Sequence, residues 1–189
     1  AQVTVTVNTP AGFSATGSLT MPRSGLTMTV LTSGKVLAVG GTNTSGILAS
    51  AELYDPATGN WTRTIGDPLI PRALHTATLL NTGEVLLVGG SAVGSLIGTD
   101  VVEKFNPTTG TFRNAGFLPS GNGRLQHTAT KLSDGRVLVA GGRNGNTVYA
   151  SAWIYDPTFE TFTTAGNAPV AGFNQMAVGL PDGRVIFLG

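Results

Sequence analysis

Residues 85–90 read Val-Leu-Leu-Val-Gly-Gly, an unbroken apolar run closed by a glycine pair, and three other stretches repeat the phrase: VLAVGG at 36–41, VLVAGG at 137–142 and VIFLG at 185–189. The equivalent glycines Gly40, Gly89, Gly141 and Gly189 stand 49, 52 and 48 residues apart, so the chain is a tandem array with a period near 50 residues. An apolar run of this length, without polar alternation, is the pattern of a strand covered on both faces. Each run follows a short turn ending in glycine, as Ser33-Gly34, Thr82-Gly83, Asp134-Gly135 and Pro181-Asp182-Gly183. Such turns connect antiparallel neighbours, so the segments before them, HTATLL at 75–80 among them, are predicted to be the first strand of each hairpin.

A second phrase keeps the same step: YDPATGNW at 54–61, FNPTTGTF at 105–112 and YDPTFETF at 155–162. Asp or Asn caps its own downstream backbone, proline presets φ, and glycine takes the positive φ where the chain reverses. Each copy therefore joins two further strands, and the third departs from the pattern at Phe159-Glu160. The recurring aromatics Tyr54, Phe105 and Tyr155, with Trp61, Phe112 and Phe162, are expected in the core.

Composition removes several function classes. The chain has 11 basic and 10 acidic residues, a net charge of +1 and no run of Lys or Arg, so it lacks the electrostatic footprint of a nucleic-acid binder. No apolar stretch approaches the roughly 20 residues of a membrane-spanning helix. The absence of cysteine excludes disulfides, zinc-thiolate sites and thiol nucleophiles. The 27 glycines and 10 prolines are spread along the chain, which suits short strands and tight turns rather than helices.

Together the phrases resemble the kelch repeat. The resemblance spans nearly the whole chain and implies an all-β, kelch-type β-propeller of four-stranded antiparallel blades. It divides the sequence into a half-blade (1–19), three blades (20–66, 67–116 and 117–166) and a second half-blade (167–189). Residues 2–13 occupy the place of 50–61 and so supply the last two strands of a blade, whereas 174–189 supply the first two of another. The halves are complementary, and an open sheet edge favours pairing, within one chain as a four-bladed ring, across two chains as an eight-bladed pair, or as part of a larger ring. Near-consensus repeats of this kind resemble those of exported bacterial kelch proteins, and the chain begins at Ala1.

What the resemblance implies for function is a non-catalytic module without cofactor or metal, binding a protein, peptide or glycan on one rim; the alternatives are a glycan-binding or carbohydrate-active propeller, as an enzyme fragment, and a purely structural propeller fragment. The loops entering the inner strands and those after the glycine pairs share that rim. Its candidates are Ser24, Leu74, Gln126 and Asn174 in the entering loops, and Thr42, Asn43, Ser91, Arg143, Asn144 and Asn146 after the glycines. Arg23, Arg72 and Arg124 recur three residues before the start of the inner strand, with Gly172 in the fourth copy, and suit either knitting of loop carbonyls or ligand contact. His75 and His127 recur at that start, with Leu26 and Gln175 in the other copies, and are expected to bond nearby backbone. Glu52 and Glu103 are expected on blade flanks, and Trp153 is aligned with Leu53 and Lys104. A copper-radical oxidase, which also uses a kelch propeller, needs a cysteine-crosslinked tyrosine that this chain cannot form.

Overall fold

Period-two strands broken by glycine turns can bury their apolar side chains only by stacking sheet on sheet, and the chain does so. The computed structural model describes residues 15–92, 94 and 96–189; residues 2–13, expected to supply the two strands of the first half-blade, lie outside them. Every regular element among the described residues is a β-strand.

The first sheet contains β1 (Thr27–Val30) and β2 (Val36–Val39), then, beyond a small hairpin of β3 (Thr42–Asn43) and β4 (Gly46–Ile47), β5 (Ala51–Asp55) and β6 (Asn60–Arg63). The second contains β7 (Thr76–Leu79), β8 (Val85–Val88), β9 (Val101–Asn106) and β10 (Thr111–Phe117). The third has β11 (Thr128–Lys131) and β12 (Val137–Ala140), a small hairpin of β13 (Arg143–Asn144) and β14 (Thr147–Val148), then β15 (Ser151–Asp156) and β16 (Thr161–Asn167). The chain closes on the two-stranded sheet of β17 (Met176–Gly179) and β18 (Val185–Leu188). Each four-stranded sheet runs antiparallel in sequence order, and the inner strands β1, β7, β11 and β17 lie side by side in series.

The glycine-ended strands are buried between sheets, as their apolar runs require. Leu31, Leu37, Val39 and Ala51 of the first blade pack on Val85, Leu87, Phe105 and Phe112 of the second. The other face of the second blade, with Leu86, Val88, Val102 and Leu118, packs on Val137, Val139 and Tyr155 of the third. Fully burying one such side chain contributes about 1.5–3 kcal/mol, which makes these two layers the main source of stability. The recurring aromatics face one another across the outer hairpins, with ring centroids 5.1 Å apart for Tyr54 and Trp61, 4.8 Å for Phe105 and Phe112, and 5.0 Å for Tyr155 and Phe162.

The recurring arginines lie inside the blades. Arg23 Nη1 donates to the carbonyls of Gly40 (2.9 Å) and Ser50 (3.0 Å), Arg72 Nη1 to Gly89 (3.0 Å), and Arg124 Nη1 to Gly141 (2.9 Å) and Ser151 (3.0 Å). Glu52 and Glu103 are the buried counter-ions of Arg23 and Arg72 rather than flank residues. Strand register also corrects the position of Trp153. It lies opposite Val139 as Glu52 lies opposite Ala38 and Glu103 opposite Leu87, so a tryptophan, not a carboxylate, fills this place in the third blade. Arg124 is left with neutral partners, adding Ser151 Oγ (2.9 Å), Asn122 Oδ1 (3.2 Å) and the face of Tyr149 (4.7 Å). Burial lowers its pKa to about 10, so it stays charged at neutral pH.

The departure at Phe159-Glu160 also has a structural use. Glu160 holds φ at 56°, where the other repeats place Gly59 and Gly110, and its carboxylate reaches back to Lys104 (2.7 Å) and Arg113 (2.6 Å) of the second blade. The strain of a left-handed residue, about 1–2 kcal/mol, is set against an inter-blade ion cluster. Those cations hold the Glu160 carboxyl near a pKa of about 2.

Removing one member of a buried pair strands the other. Glu103→Ala is expected to lower unfolding free energy by about 3–5 kcal/mol in urea titration. Asp67→Ala, which breaks the exposed Arg63–Asp67 pair, is expected to cost under about 1 kcal/mol.

Candidate functional site

The rim is organised by one backbone position that occurs once per blade. Gly25, Leu74, Gln126 and Asn174 all take positive φ, at 64°, 57°, 57° and 55°. Each amide donates to the carbonyl of its counterpart in the preceding blade: Leu74 to Gly25 (2.9 Å), Gln126 to Leu74 (3.0 Å) and Asn174 to Gln126 (2.9 Å). A parallel series runs from the glycine pairs, with Gly41 donating to Arg72 (2.8 Å), Gly90 to Arg124 (2.8 Å) and Gly142 to Gly172 (2.7 Å). The entering loops are bridged in turn to the loops after the glycine pairs, Ser24 with Thr42, Ala73 with Ser91 and Leu125 with Arg143.

This framework brings Ser24, Thr42, Leu74 and Ser91 together around a cleft of about 370 Å³ between the first two blades. Ile47 and Leu96 complete it, and none of its described lining residues is ionisable. A second depression of about 450 Å³ shares Ser24 and Thr42 and reaches Arg23 and Asn43. The remaining candidates lie elsewhere. Asn144 accepts the Gly98 amide (3.0 Å), Arg143 stacks on Phe173 (4.8 Å), Asn146 and Asn174 are exposed, and Gln126 keeps its Oε1 buried without a partner. The side chains of Arg23, Arg72 and Arg124 serve the blade interiors, because their donors are turned to the carbonyls of the glycine bends.

Ile47 and Leu96 were absent from the expected rim, which read as neutral and polar. A signal for them existed: the loop from Gly90 to Phe105 is two residues longer than its counterparts from Gly41 to Tyr54 and from Gly142 to Tyr155. The extra length carries Leu96 outward to meet the neighbouring loops, where its carbonyl accepts the Gly145 amide (2.7 Å).

The histidines bond across the blade junction to a side chain, not to backbone as expected. His75 Nε2 lies 2.9 Å from Thr27 Oγ1, and His127 Nε2 lies 2.9 Å from Thr76 Oγ1. Their rings fit because glycine lies beneath them: a Cβ on Gly40 would come within 3.2 Å of His75 Cε1, and one on Gly89 within 3.0 Å of His127 Cε1. Burial, reinforced by Arg72 and His127, holds His75 well below the ordinary histidine range, and burial with Arg124 takes His127 to about 3. Both are neutral at pH 7, and each keeps a buried Nδ1 without a partner. Among the described residues no three His, Cys, Asp or Glu side chains come together as a metal set.

The Kelch motif matches this chain at residues 22–64 and 132–169. Those two stretches carry the Kelch motif, one in the first repeat and one in the third. A solved structure described as "Structure of YjhT" superposes with a TM-score of 0.81 at 16% identity, covering 95% of this chain and 63% of that one. The chain spans less than two thirds of the length of that structure. No curated protein sequence matches it. The likeness shows the fold, and the cleft lining belongs to this chain's own loops.

Because the folded histidine pKa values lie below the unfolded value of 6.5, the unfolded chain binds more protons in acid. Their stabilising contribution is complete above pH 6.5 and is lost as pH falls from there toward 3. His127→Gln, the residue found at the equivalent position 175, is expected to flatten the fall in thermal midpoint across this window, measured by circular dichroism at stepped pH.

Proposed function

We propose that this chain is a non-catalytic interaction module that seats an uncharged, partly apolar peptide segment of a protein partner in the rim cleft of its first two blades. The observation that carries this reading is the cleft lining. Ile47, Leu74 and Leu96 offer apolar surface, Ser24, Thr42 and Ser91 offer hydroxyls, and no described lining side chain is ionisable. A charged ligand would lose hydration there without gaining a counter-ion, whereas an aliphatic side chain flanked by backbone amides would bury apolar area and keep its hydrogen bonds.

The distribution of charge supports the same choice. Lys35–Asp55, the cluster of Lys104, Arg113, Glu84 and Glu160, Arg136–Asp134 and Arg184–Asp182 all lie at the hairpin turns opposite the rim. A glycan is the weaker reading, because the described lining includes no aromatic ring on which a sugar could stack.

The test is selection of a displayed random-peptide library against the chain. The peptides recovered are expected to be uncharged and apolar, to lose at least roughly tenfold in affinity for Leu96→Asp at unchanged thermal midpoint, and to bind Lys35→Ala on the opposite end as before. Peptides that ignore the Leu96 substitution, or acidic or basic winners, would sink the reading.

A further inference from the structure

The sequence holds two Asn-Gly steps, Asn122-Gly123 in the loop entering β11 and Asn144-Gly145 in the turn between β13 and β14. In such a step the glycine amide nitrogen can attack the preceding side-chain carbonyl, because no Cβ shields it. The fold treats the two amides differently. Gly145 donates its amide to the Leu96 carbonyl (2.7 Å), and Asn144 Oδ1 accepts the neutral Gly98 amide (3.0 Å). Among the described residues the Gly123 amide donates to no acceptor. A Cβ on Gly123 would come within 2.5 Å of the Gly98 carbonyl oxygen, so packing holds this position to glycine.

The group that faces Asn122 is a cation. Arg124 Nε donates to the Asn122 backbone carbonyl (3.0 Å) and Nη2 to Asn122 Oδ1 (3.2 Å), so one edge of the guanidinium spans both carbonyls of the same residue. Asn122 Nδ2 donates to the Ser120 carbonyl (3.2 Å), which fixes the amide with its oxygen toward the arginine. Arg23 and Arg72 have Glu52 and Glu103 as counter-ions, whereas among the described residues Arg124 has no carboxylate partner.

We propose that Asn122 is a self-modifying position, deamidated by its own backbone, and that the carboxylate produced becomes the counter-ion of Arg124. The Gly123 nitrogen gives up its proton to solvent base and bonds to Asn122 Cγ. Negative charge develops on Oδ1, where the Arg124 Nη2 donor already points, and a donor placed there favours the transition state over the resting amide. The Cγ–Nδ2 bond then breaks, and the nitrogen leaves as ammonia with a proton from solvent.

Water opens the five-membered imide that remains. Addition at the side-chain carbonyl yields aspartate, and addition at the backbone carbonyl yields isoaspartate. Both carbonyls lie on the guanidinium edge, so either product sets its carboxylate against Arg124. No oxidant or reductant takes part, and water is the sole co-reactant. The product replaces a hydrogen bond to a neutral amide with a stronger charge-assisted one.

Ageing of the folded chain in mildly alkaline buffer, with tryptic peptides 114–124 and 144–184 followed by mass spectrometry, tests the proposal. Peptide fragmentation assigns each conversion to its asparagine. Asn122 is expected to convert at least roughly tenfold faster than Asn144, whose reaction must first break the hydrogen bond from Gly145 to Leu96. In urea, where neither loop is held, the two rates are expected to converge, with Asn144 speeding up and Asn122 not. Asn122→Asp installs the product directly. Its thermal midpoint is expected to exceed the parent's at neutral pH, with the gain lost in acid as the new carboxylate protonates. Conversion of Asn122 no faster than that of Asn144 in the folded chain overturns the proposal, as does a rate at Asn122 that rises in urea. A midpoint for Asn122→Asp at or below the parent's overturns the counter-ion role.

Discussion

The buried arginine of the first three entering loops is the interaction on which the rest of the structure depends. Its guanidinium binds the carbonyl of the glycine bend in its own blade, as Arg72 does at Gly89 and Arg124 at Gly141. Its backbone carbonyl meanwhile accepts the amide of the preceding blade, Gly41 for Arg72 and Gly90 for Arg124. One residue therefore fixes both the bend within a blade and the approach of the blade before it. The bend needs positive φ, the carbonyl it exposes is buried, and a fan of donors on a long stem satisfies it without water.

Around this shared frame the repeats differ in coupled ways. Glu52 and Glu103 neutralise Arg23 and Arg72, while the third blade replaces the carboxylate with Trp153 and satisfies Arg124 with carbonyls, hydroxyl, amide and a tyrosine face. The tryptophan packs against the core between the second and third blades, and its Nε1 is left buried without a partner. Glu160 likewise takes a conformation suited to glycine and reaches the basic residues of its neighbour. Each change exchanges a local preference for a contact between blades.

The same frame explains how the candidate site forms. The positive-φ residues tie the entering loops into a series, which holds Ser24, Leu74 and the loops that follow the glycine pairs at fixed separation. Loop length then sets what fills the space between them, and the longer second loop brings Leu96 into the cleft, whose described lining carries no ionisable side chain.

The repeat period, the hairpin turns, the burial of the VLLV strands and the all-β architecture were determined by the sequence itself, because each follows from local chemistry: glycine φ, side-chain alternation and apolar runs. The sequence also exposed Arg23, Arg72 and Arg124, and the pair His75 and His127, as recurrent positions. Their partners were settled only by the tertiary structure. Which carboxylate meets Arg72, that His75 bonds a threonine of the preceding blade, that Trp153 stands in a glutamate's place, and that Ile47 and Leu96 line the cleft all depend on contacts between segments distant along the chain. A repeat fixes spacing within a blade, but the register between sheets and the path of a loop are set by packing against the neighbouring blade.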